Sequence, residues 1–407
     1  MTPNNFKNGF LYINKPSHSA GKPTGPTSHD MIYKLRKILN IKKIGHAGTL
    51  DPFASGLMIV AIGDATRVLR HYVGLDKTYE ATLKLGATSD TQDRTGKVSS
   101  FKLQATSIIK KDIERVLKSF VGKQKQLPPM FSAKKIDGQR LYKLARKGET
   151  VERKEVDIEI YDIKLNSHDL ASSNPQITIT CKVSSGTYIR TLAHDIGQKL
   201  GCGAYLEELK RTEIGDFKLE DAIDIASEYA TECGKHGTDT KSGSDGIAAV
   251  ASTLPRNDRI EHDNWEKHFI PMKTVLVSGT FDGVHEGHKN YFQQARKLGH
   301  RLFAIVARDV IVKKIKNKTP KYSEKERVKQ VKTCDEVDRV YLGVDGNDKK
   351  IYDFVADIKP DVIALGYDQE TYAGNLEEEM KERGLDVEIV RLKGFEEGKY
   401  KSSILNK

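Results

Sequence analysis

The octapeptide Gly-His-Ala-Gly-Thr-Leu-Asp-Pro occupies residues 45–52, and the apolar run Leu-Met-Ile-Val-Ala-Ile follows at residues 57–62. The glycines and the proline predict a tight loop, because Gly adopts backbone conformations that other residues avoid and Pro fixes its own φ. The apolar run predicts a buried strand directly after this loop. Asp51, the single carboxylate of the loop, is then held at a rigid edge in the manner of a catalytic acid, although an Asp that only caps a turn is a common alternative.

The octapeptide as a whole resembles the active-site loop of the TruB family of RNA pseudouridine synthases. Residues 9–16, Gly-Phe-Leu-Tyr-Ile-Asn-Lys-Pro, resemble the opening strand and Lys-Pro turn of that family, with Asn14 where the family often has Asp. Residues 186–190, Gly-Thr-Tyr-Ile-Arg, resemble its second strong signature. The resemblance covers roughly residues 9 to 225. It implies an α+β domain with a mixed, largely antiparallel sheet, which isomerises a uridine in the T-loop of tRNA, at position 55, without a cofactor.

The resemblance also implies three catalytic residues. Asp51 is the essential carboxylate, Tyr79 stacks on the target uracil, and Arg190 pairs with Asp51, which keeps that carboxylate ionised and fixes its rotamer. Without the family, Tyr79 is a strand residue that packs half-buried, and Arg190 is an ordinary cation at a helix start. The sequence leaves open whether Asp51 attacks the sugar, attacks the base or removes a sugar proton.

Further residues match the family's substrate pocket and RNA contacts. His46 resembles the residue that takes the place of the flipped nucleotide, and a hydrogen bond to the loop backbone is its alternative role. Two other positions match residues that line the uracil pocket, and residues 126–148 resemble a thumb that grips RNA. The pocket and RNA contacts are therefore expected at His46, Tyr188, Leu209, Lys15, Lys134 and Arg146.

The charge distribution agrees with an RNA partner. The chain has a net charge of +11, and all of the excess lies in residues 1–225. Residues 101–150 alone hold 13 basic and 4 acidic side chains, interleaved with Phe120, Phe131 and Tyr142. Such a segment suits a phosphate backbone, and a solvated lysine-rich helix is the alternative.

The composition limits the other classes of protein. The 407 residues are 38% hydrophobic and 30% charged, which is typical of a globular protein of two or three domains. The sequence shows neither an apolar run long enough for a membrane span nor an apolar signal-peptide core, so cytoplasm is expected. Its four cysteines lack the spacing of a zinc site, which predicts free thiols and no bound metal.

The second half of the chain differs in character. Residues 234–246 are polar and rich in Gly and Ser, which predicts a flexible linker. We therefore expect a synthase domain over residues 1–228, a linker over 229–270 and a further domain over 271–407. Full-length bacterial members of the TruB family carry a small RNA-binding PUA domain at about this point, and no such pattern is recognised here.

Residues 273–288, Lys-Thr-Val-Leu-Val-Ser-Gly-Thr-Phe-Asp-Gly-Val-His-Glu-Gly-His, predict a buried strand, a Gly turn and the start of a helix. Two histidines near a helix N-terminus are suited to phosphate oxygens. The segment resembles the cytidylyltransferase-like nucleotidyltransferases, which implies an α/β Rossmann-like domain with a parallel sheet. The nucleotide is expected at Gly279, Thr280, Phe281, His285, His288, Lys313, Gly366, Asp368, Ser402 and Ser403.

The resemblance implies a reaction in which an acceptor phosphate attacks the α-phosphate of a nucleoside triphosphate in the presence of Mg²⁺. The archaeal-type FAD synthases and the glycerol-3-phosphate cytidylyltransferases look most similar, so ATP and CTP are both candidates and the phosphorylated acceptor stays open. An alternative to this transferase activity is that residues 271–407 form a non-catalytic module that replaces the PUA domain. Another is a first half that acts mainly as a tRNA chaperone.

Overall fold

The computed structural model describes residues 6–17, 24–100, 108–132, 135–136, 139–141, 151–225, 265–369 and 375–395. The chain divides into two compact units, Met1–Ile270 (unit 1) and Pro271–Lys407 (unit 2). Within the described ranges, no helix combines the length and the apolar character that a membrane crossing requires.

Unit 1 is built on a large sheet with helices beside it. Its helices are α1 Ser28–Leu39, α2 Leu69–Val73, α3 Lys110–Lys118, α4 Ile189–Lys199 and α5 Trp265–His268, with 3-10 turns at Gly63–Val68 and Leu219–Asp221. Its strands are β1 Gly9–Lys15, β2 Ile44–Ala47, β3 Ser55–Ile62, β4 Lys77–Leu85, β5 Ala87–Ser89, β6 Val98–Ser100, β7 Gly122–Gln126, β8 Lys135–Ile136, β9 Gln139–Arg140, β10 Val156–Asp169, β11 Gln176–Val183, β12 Ala204–Ile214, β13 Phe217–Lys218, β14 Ile223–Asp224 and β15 Ile270–Pro271, the last of which spans the boundary between the units.

The main path through the sheet runs β14-β1-β3-β12-β4-β11-β10-β7. The pairs β1–β14 and β3–β12 are parallel, and the other neighbours on this path are antiparallel. The prediction of a mixed, largely antiparallel sheet is confirmed.

Strand β12 joins the two halves of this sheet. It pairs with β4 along most of its length, and β-bulges interrupt that pairing between Leu206 and Glu208 and between Arg211 and Glu213. Its contact with β3 is short and close, because a Cβ added at Gly56 would lie 2.3 Å from the carbonyl oxygen of Arg211. Only glycine fits at this crossing, where its φ is +108°.

Helix α1 supports the loop that carries Asp51. Thr27 and Asp30 form a capping box at its start, and its buried face packs into the core of unit 1. Ser28 at the first turn fixes Leu50, since the Ser28 hydroxyl accepts from the Leu50 N–H at 2.9 Å and lies 3.2 Å from the Leu50 carbonyl oxygen. The local capping signal of the sequence therefore positions the residue just before Asp51.

Two local predictions for unit 1 are wrong in extent. Gly45–Ala47 was expected in the loop, but these residues belong to β2, because His46 pairs opposite Val60 of β3. The loop itself begins at Gly48, whose φ is +86°. The polar residues 166–175 predict a turn between two strands. In the structure β10 instead continues to Asp169, because a bulge after Leu165 lets it keep pairing with β11.

Unit 2 is a doubly wound α/β fold. Its strands are β16 Thr274–Gly279, β17 Arg301–Val306, β18 Arg339–Leu342, β19 Val362–Leu365 and β20 Glu388–Arg391. Its helices are α6 Glu286–Arg296, α7 Asp309–Lys316, α8 Glu324–Val331, α9 Asp348–Ile358 and α10 Leu376–Glu382. All strand pairs in the order β18-β17-β16-β19-β20 are parallel, which confirms the predicted Rossmann-like sheet.

The sheet of unit 2 is covered on both faces. Val275 and Val277 of β16 pack into one apolar cluster, and Leu276 between them packs into a second. This alternation follows from the two-residue period of a strand. The strand order reverses between β16 and β19, so the carboxyl ends of these two strands mark the place where such folds bind ligands.

Three of the four cysteines lie in the described part of the chain. Cys181, Cys202 and Cys334 are buried free thiols, and burial raises the pKa of Cys181 to about 12. The described residues contain no group of three or more His, Cys, Asp and Glu side chains placed to hold a metal ion.

Candidate active sites

The loop that carries Asp51 is fastened from below by Lys15. The Lys15 ammonium is fully buried and donates to the carbonyl oxygens of Pro52 at 2.8 Å, Ala54 at 2.5 Å and Pro16 at 3.0 Å. Burial lowers the pKa of Lys15 to about 7, with Asp51 opposing this shift. Lys15 is predicted among the substrate-pocket and RNA contacts, and in the structure its ammonium holds the backbone of the Asp51 loop.

Asp51 faces a guanidinium that bridges two carboxylates. Nη2 of Arg190 lies 3.1 Å from Oδ1 of Asp51, and Nη1 of Arg190 lies 3.3 Å from Oδ2 of Asp93. Arg190 and Asp93 are 6% and 4% exposed, whereas 32% of the Asp51 side chain is exposed. The guanidinium is thus held from behind by Asp93, and Asp51 alone of the three groups is accessible to a substrate.

The electrostatics of Asp51 reflect its partly buried position among charged neighbours. Burial raises the pKa of this carboxyl above its ordinary value, and the neighbouring charge of Asp93 adds to the rise. Arg190 and Lys15 oppose it by favouring the ionised form. The site therefore holds a carboxylate that water solvates poorly, which raises its reactivity as a base or nucleophile.

Tyr79 lies beside this carboxylate on the neighbouring half of the sheet. Its ring is buried on β4, and its hydroxyl hydrogen-bonds with Arg211. Arg211 is 1% exposed and also donates to the carbonyl oxygens of Leu57 at 2.8 Å and Gly48 at 3.2 Å. One guanidinium therefore ties the tyrosine to both ends of the Asp51 loop.

The remaining predicted pocket residues lie on the same elements. Leu209 is buried on β12, two residues before Arg211, and Tyr188 is the last residue before α4. The backbone of Tyr188 is fixed by the Gln126 side chain through contacts of 2.8 and 3.0 Å, which sets the start of the helix that carries Arg190. Lys134 and Arg146 lie outside the described residues.

His46 is half-buried on β2 with its imidazole within hydrogen-bonding reach of the Gly48 backbone. Burial lowers its pKa, and the charge of Arg211 lowers it further. The contact with Gly48 agrees with the backbone-bonding role that the sequence allowed.

Sequence reasoning missed Asp93 and Arg211. Asp93 belongs to the polar cluster at residues 88–96, which also contains Asp90, and nothing in the local pattern separates these two carboxylates. Arg211 lies in a strand among other charged residues, so its burial could not be inferred from spacing. Both positions are defined only by the meeting of distant segments.

The candidate site of unit 2 is a cavity of about 430 Å³ at the carboxyl ends of its strands. Of the predicted nucleotide-binding residues, those that line it are Gly279, Thr280, Phe281, His285, His288, Gly366 and Asp368. Lys313 is exposed on α7 and does not belong to the lining, whereas Lys316, one turn later, does. Ser402 and Ser403 lie outside the described residues.

The two histidines stack at the start of α6. The imidazole rings of His285 and His288 are 3.9 Å apart, and Phe281 packs edge-on against His288 at 5.3 Å. Burial lowers the pKa of His288 to about 3 and also lowers that of His285, so both rings are neutral near pH 7. Neutral imidazoles donate one N–H each, which suits hydrogen bonds to phosphate oxygens.

The backbone around these histidines is closely constrained. Phe281 adopts φ of +49°, an uncommon conformation for a bulky residue, and a Cβ added at Gly279 would lie 2.8 Å from its ring. Gln369 fastens the loop after β19 to β16, donating to the Ser278 carbonyl oxygen at 2.7 Å and accepting from the Gly366 N–H at 2.8 Å. These contacts hold the two strand ends that frame the cavity.

Unit 1 thus has a candidate active site built around a carboxylate, which is typical of enzymes. Unit 2 is a doubly wound α/β unit with a cavity suited to phosphate groups. Residues 36–189 match the family model of the TruB family pseudouridylate synthase N-terminal domain, and residues 190–233 match the tRNA pseudouridylate synthase B C-terminal domain. Residues 276–406 match the cytidylyltransferase-like family. All three matches agree with the resemblances found in the sequence.

Named relatives support the same assignment. The tRNA pseudouridine synthase B of Geobacter sulfurreducens is 47% identical over 217 residues, which are 53% of this chain and 67% of that protein. The protein of the same name from Opitutus terrae is 48% identical over 204 residues, 50% of this chain and 83% of that protein. The chain therefore belongs to the TruB family of pseudouridylate synthases. A solved Cbf5-Nop10-Gar1 complex aligns with 26% identity and a TM-score of 0.44 over 68% of this chain and 66% of that chain.

Proposed function

We propose that unit 1 converts a tRNA uridine to pseudouridine, and that the uridine is the one at position 55 of the T-loop. The observation that carries the proposal is the 3.1 Å pairing of Asp51 with the buried Arg190, beside the ring of Tyr79. The name of the curated relatives, tRNA pseudouridine synthase B, supports tRNA as the substrate. The same proposal assigns the enzyme to the cytoplasm.

The reaction needs few groups. The bond between C1′ and N1 of the uridine breaks, the base turns, C1′ joins C5, and the proton on C5 is lost while N1 gains one. Nothing is oxidised, so an ionised carboxylate and a pocket that excludes water meet its requirements. Asp51 has three routes available, which are attack on C1′, attack on the base and removal of a sugar proton.

The other residues of the pocket bind and orient the nucleotide in this proposal. The uracil stacks on Tyr79 and contacts Tyr188 and Leu209, and His46 occupies the space that the flipped nucleotide leaves. Lys134 and Arg146 belong to a basic segment that we expect to contact the RNA backbone. Lys15 is a positioning residue in this proposal, because it holds the loop backbone that places Asp51 against the substrate.

A tritium-release assay tests this function. Transcribed tRNA with tritium at C5 of uridine should lose the label with the wild-type protein and keep it with Asp51→Ala. Binding of tRNA should stay within about twofold, because in this proposal Asp51 acts on the nucleoside and the phosphate backbone is bound by other residues. A tRNA with cytidine at position 55 should release none of the label specific to that site. Turnover by Asp51→Ala would contradict the role of Asp51, and a wild-type protein that assists tRNA folding without any release would favour the chaperone alternative.

A second function, nucleotidyl transfer by unit 2, is favoured by the stacked His285 and His288 at the end of β16. In this reaction an acceptor phosphate oxygen bonds to the α-phosphorus of ATP or CTP, and pyrophosphate leaves with the electrons of the broken bond. His285 and His288 donate hydrogen bonds to the triphosphate, and Lys316 adds a positive charge at the rim. Of the described lining residues, Asp368 is the one carboxylate. That donor set fits Mg²⁺, which usually binds few carboxylates together with substrate phosphates and would neutralise the developing charge.

Pyrophosphate release tests the second function. The full chain with Mg²⁺, ATP or CTP and phosphorylated acceptors should release pyrophosphate, and His288→Ala should not. The absence of release with every pair, together with weaker tRNA binding after removal of residues 271–407, would favour the non-catalytic module. The proposed domain boundaries, 1–228 and 271–407 around a linker, would be tested by expressing each part alone.

A further inference from the structure

The cavity of unit 2 has two chemically different ends. The polar end is formed by the last residues of β16, the start of α6 and the residues after β19, and it contains the two stacked histidines. The other end is an apolar wall contributed by α7, α9 and α10. Its side chains include Ile311, Ile315, Ile351, Tyr352, Phe354 and Leu376.

This wall lines the cavity and is backed by aromatic side chains. Phe354 packs edge-on against Tyr341 at 6.1 Å, and Tyr341 packs against Phe303 at 5.7 Å, so an aromatic cluster anchored in the sheet supports the wall. Tyr352 lies under the guanidinium of Arg383 at 5.7 Å. In the described part of the chain Ile315 is still 43% exposed, and Tyr352 and Phe354 are half-buried. Apolar surface of this kind is favourably covered by an apolar ligand.

A phosphorylated polyol would fit this wall poorly. Its hydroxyl groups would lose water on entering and would meet side chains that offer no hydrogen bonds along most of the wall, which costs binding free energy. An aromatic or aliphatic body would instead bury its own apolar surface there. Lys316 follows Ile315 directly and lines the same cavity, and its charge helps to lower the pKa of His288. This cation therefore lies where the wall meets the histidines, at the place where the acceptor phosphate would approach the triphosphate.

We propose that the acceptor of unit 2 is a phosphate monoester with an aromatic or otherwise apolar body, which lies on the wall between α7 and α9. This inference rests on the proposed nucleotidyl transfer and narrows its substrate class. The nucleoside triphosphate occupies the histidine end, the acceptor phosphate oxygen bonds to its α-phosphorus, and pyrophosphate leaves. The product is a diphosphate diester, and no oxidant or reductant is needed.

The sharpest test uses two acceptors that differ only in the apolar body. Riboflavin 5′-phosphate and ribitol 5-phosphate share the same phosphorylated polyol chain, and the first carries an aromatic ring system in addition. With the full chain, Mg²⁺ and ATP or CTP, we expect kcat/KM for the aromatic acceptor to be at least about tenfold higher, measured as pyrophosphate release. Phenyl phosphate provides a second aromatic probe without a polyol.

A pair of variants on one helix locates the acceptor. Ile315 lines the cavity, whereas Val310, which is 58% exposed on the same helix, does not. Ile315→Glu should raise KM for the aromatic acceptor at least about tenfold and leave KM for the nucleotide within about twofold, because it places a charge on the apolar wall. Val310→Glu should change neither constant. Ile315→Ala is the milder variant if the charge disturbs the folding of unit 2, which a thermal melt and a changed KM for the nucleotide would report.

The possible outcomes distinguish the proposed class of acceptor from the proposed nucleotidyl transfer itself. Equal or better use of ribitol 5-phosphate would overturn the inference and leave nucleotidyl transfer standing. An Ile315→Glu effect on the nucleotide KM alone would also overturn it, because the wall would then hold the base of the nucleotide. No pyrophosphate from any acceptor with either nucleotide would overturn the proposed transferase function itself.

Discussion

Arg190 bridges Asp51 and Asp93, and we predict that the buried Asp93 is needed for turnover although no substrate reaches it. In the variant Asp93→Asn the side chain keeps its size and one acceptor oxygen but loses its charge. Arg190 would then be positioned less firmly from behind, so its alignment with Asp51 would vary more while the ion pair itself persists. We expect turnover to fall while tRNA binding stays unchanged, because Asp93 is buried away from the RNA surface.

The size of the effect follows from the geometry. The contact between Nη1 of Arg190 and Oδ2 of Asp93 is 3.3 Å long and joins side chains that are 6% and 4% exposed, so solvent does not screen it. A hydrogen bond to a charged group contributes about 1.5 to 3 kcal/mol, which corresponds to roughly a 10- to 150-fold change in rate if positioning is its whole effect. The amide of Asn retains part of the contact, so Asp93→Asn should lie near the lower limit and Asp93→Ala near the upper one.

The pH dependence provides a second, independent readout. The negative charge of Asp93 helps to raise the pKa of Asp51, so its removal should lower that pKa. The acid limb of the pH–rate profile for tritium release should therefore move to lower pH in Asp93→Asn, although the maximum rate falls. A variant that merely loosened the fold would lower the rate without this shift.

Asp112→Asn is the matched control. Asp112 also pairs with an arginine, Arg115, at 3.0 Å, but the two side chains are 37% and 77% exposed on α3. Such surface pairs contribute about 0 to 1 kcal/mol, so stability and turnover should both stay near the wild-type values. Wild-type turnover by Asp93→Asn, or a shift of its acid limb to higher pH, would refute the reasoning.

Three further predictions follow from buried charges. Asp51→Asn should raise the free energy of unfolding at pH 7, measured by urea denaturation, by about 1.4 kcal/mol for each unit by which the Asp51 pKa in the folded state exceeds its unfolded value. The reason is that an acid with a raised folded pKa destabilises the fold once the pH exceeds that pKa, and equal or lower stability would contradict this. Lys15→Met should flatten the rise in the free energy of unfolding between pH 7 and 9 by up to about 1.4 kcal/mol per pH unit. The buried ammonium destabilises the fold, and this cost is removed as Lys15, with its pKa lowered to about 7, loses its proton. An unchanged slope would contradict the prediction. Arg327→Met should destabilise unit 2 by about 3 to 5 kcal/mol. Arg327 is fully buried and donates to Asp309 at 2.6 Å and to the carbonyl oxygens of Thr280 and Ala307. Tritium release by unit 1 should persist, and its loss would show that the units do not fold independently.

Much of the fold could be predicted from local patterns. The apolar run at residues 57–62 and the strand that opens residues 273–288 could be predicted, because a continuous apolar run indicates a strand covered on both faces. The extent of β10 could not be predicted, since the bulge that prolongs it depends on its partner β11. The last strand of unit 2, Glu388–Arg391, lies at the sheet edge, and its short length and mixed polarity offered no periodic signal.

The sites show the same limit. Asp51 stands out because glycines and a proline surround it, and the two histidines of unit 2 stand out because they follow a strand and a Gly turn. Asp93 and Arg211 had no such local context, because their roles arise where segments more than ninety residues apart meet Arg190 and the Asp51 loop. Lys313 was preferred to Lys316 on sequence, and only the helical phase of α7 identifies the lysine that lines the cavity.

The bulges that interrupt the β12–β4 ladder have a consequence for how this protein can diverge. In an uninterrupted ladder, a one-residue insertion anywhere in the strand would turn every later side chain to the opposite face. The bulges next to Leu206 and Arg211 bracket the segment that carries Leu209 and Arg211. An insertion or deletion in β12 outside the segment between the two bulges can be taken up at a bulge, so that the side chains inside the segment keep their faces. Descendants of this sequence can therefore lengthen or shorten the ends of β12 while the residues that face Asp51 and Tyr79 keep their orientation.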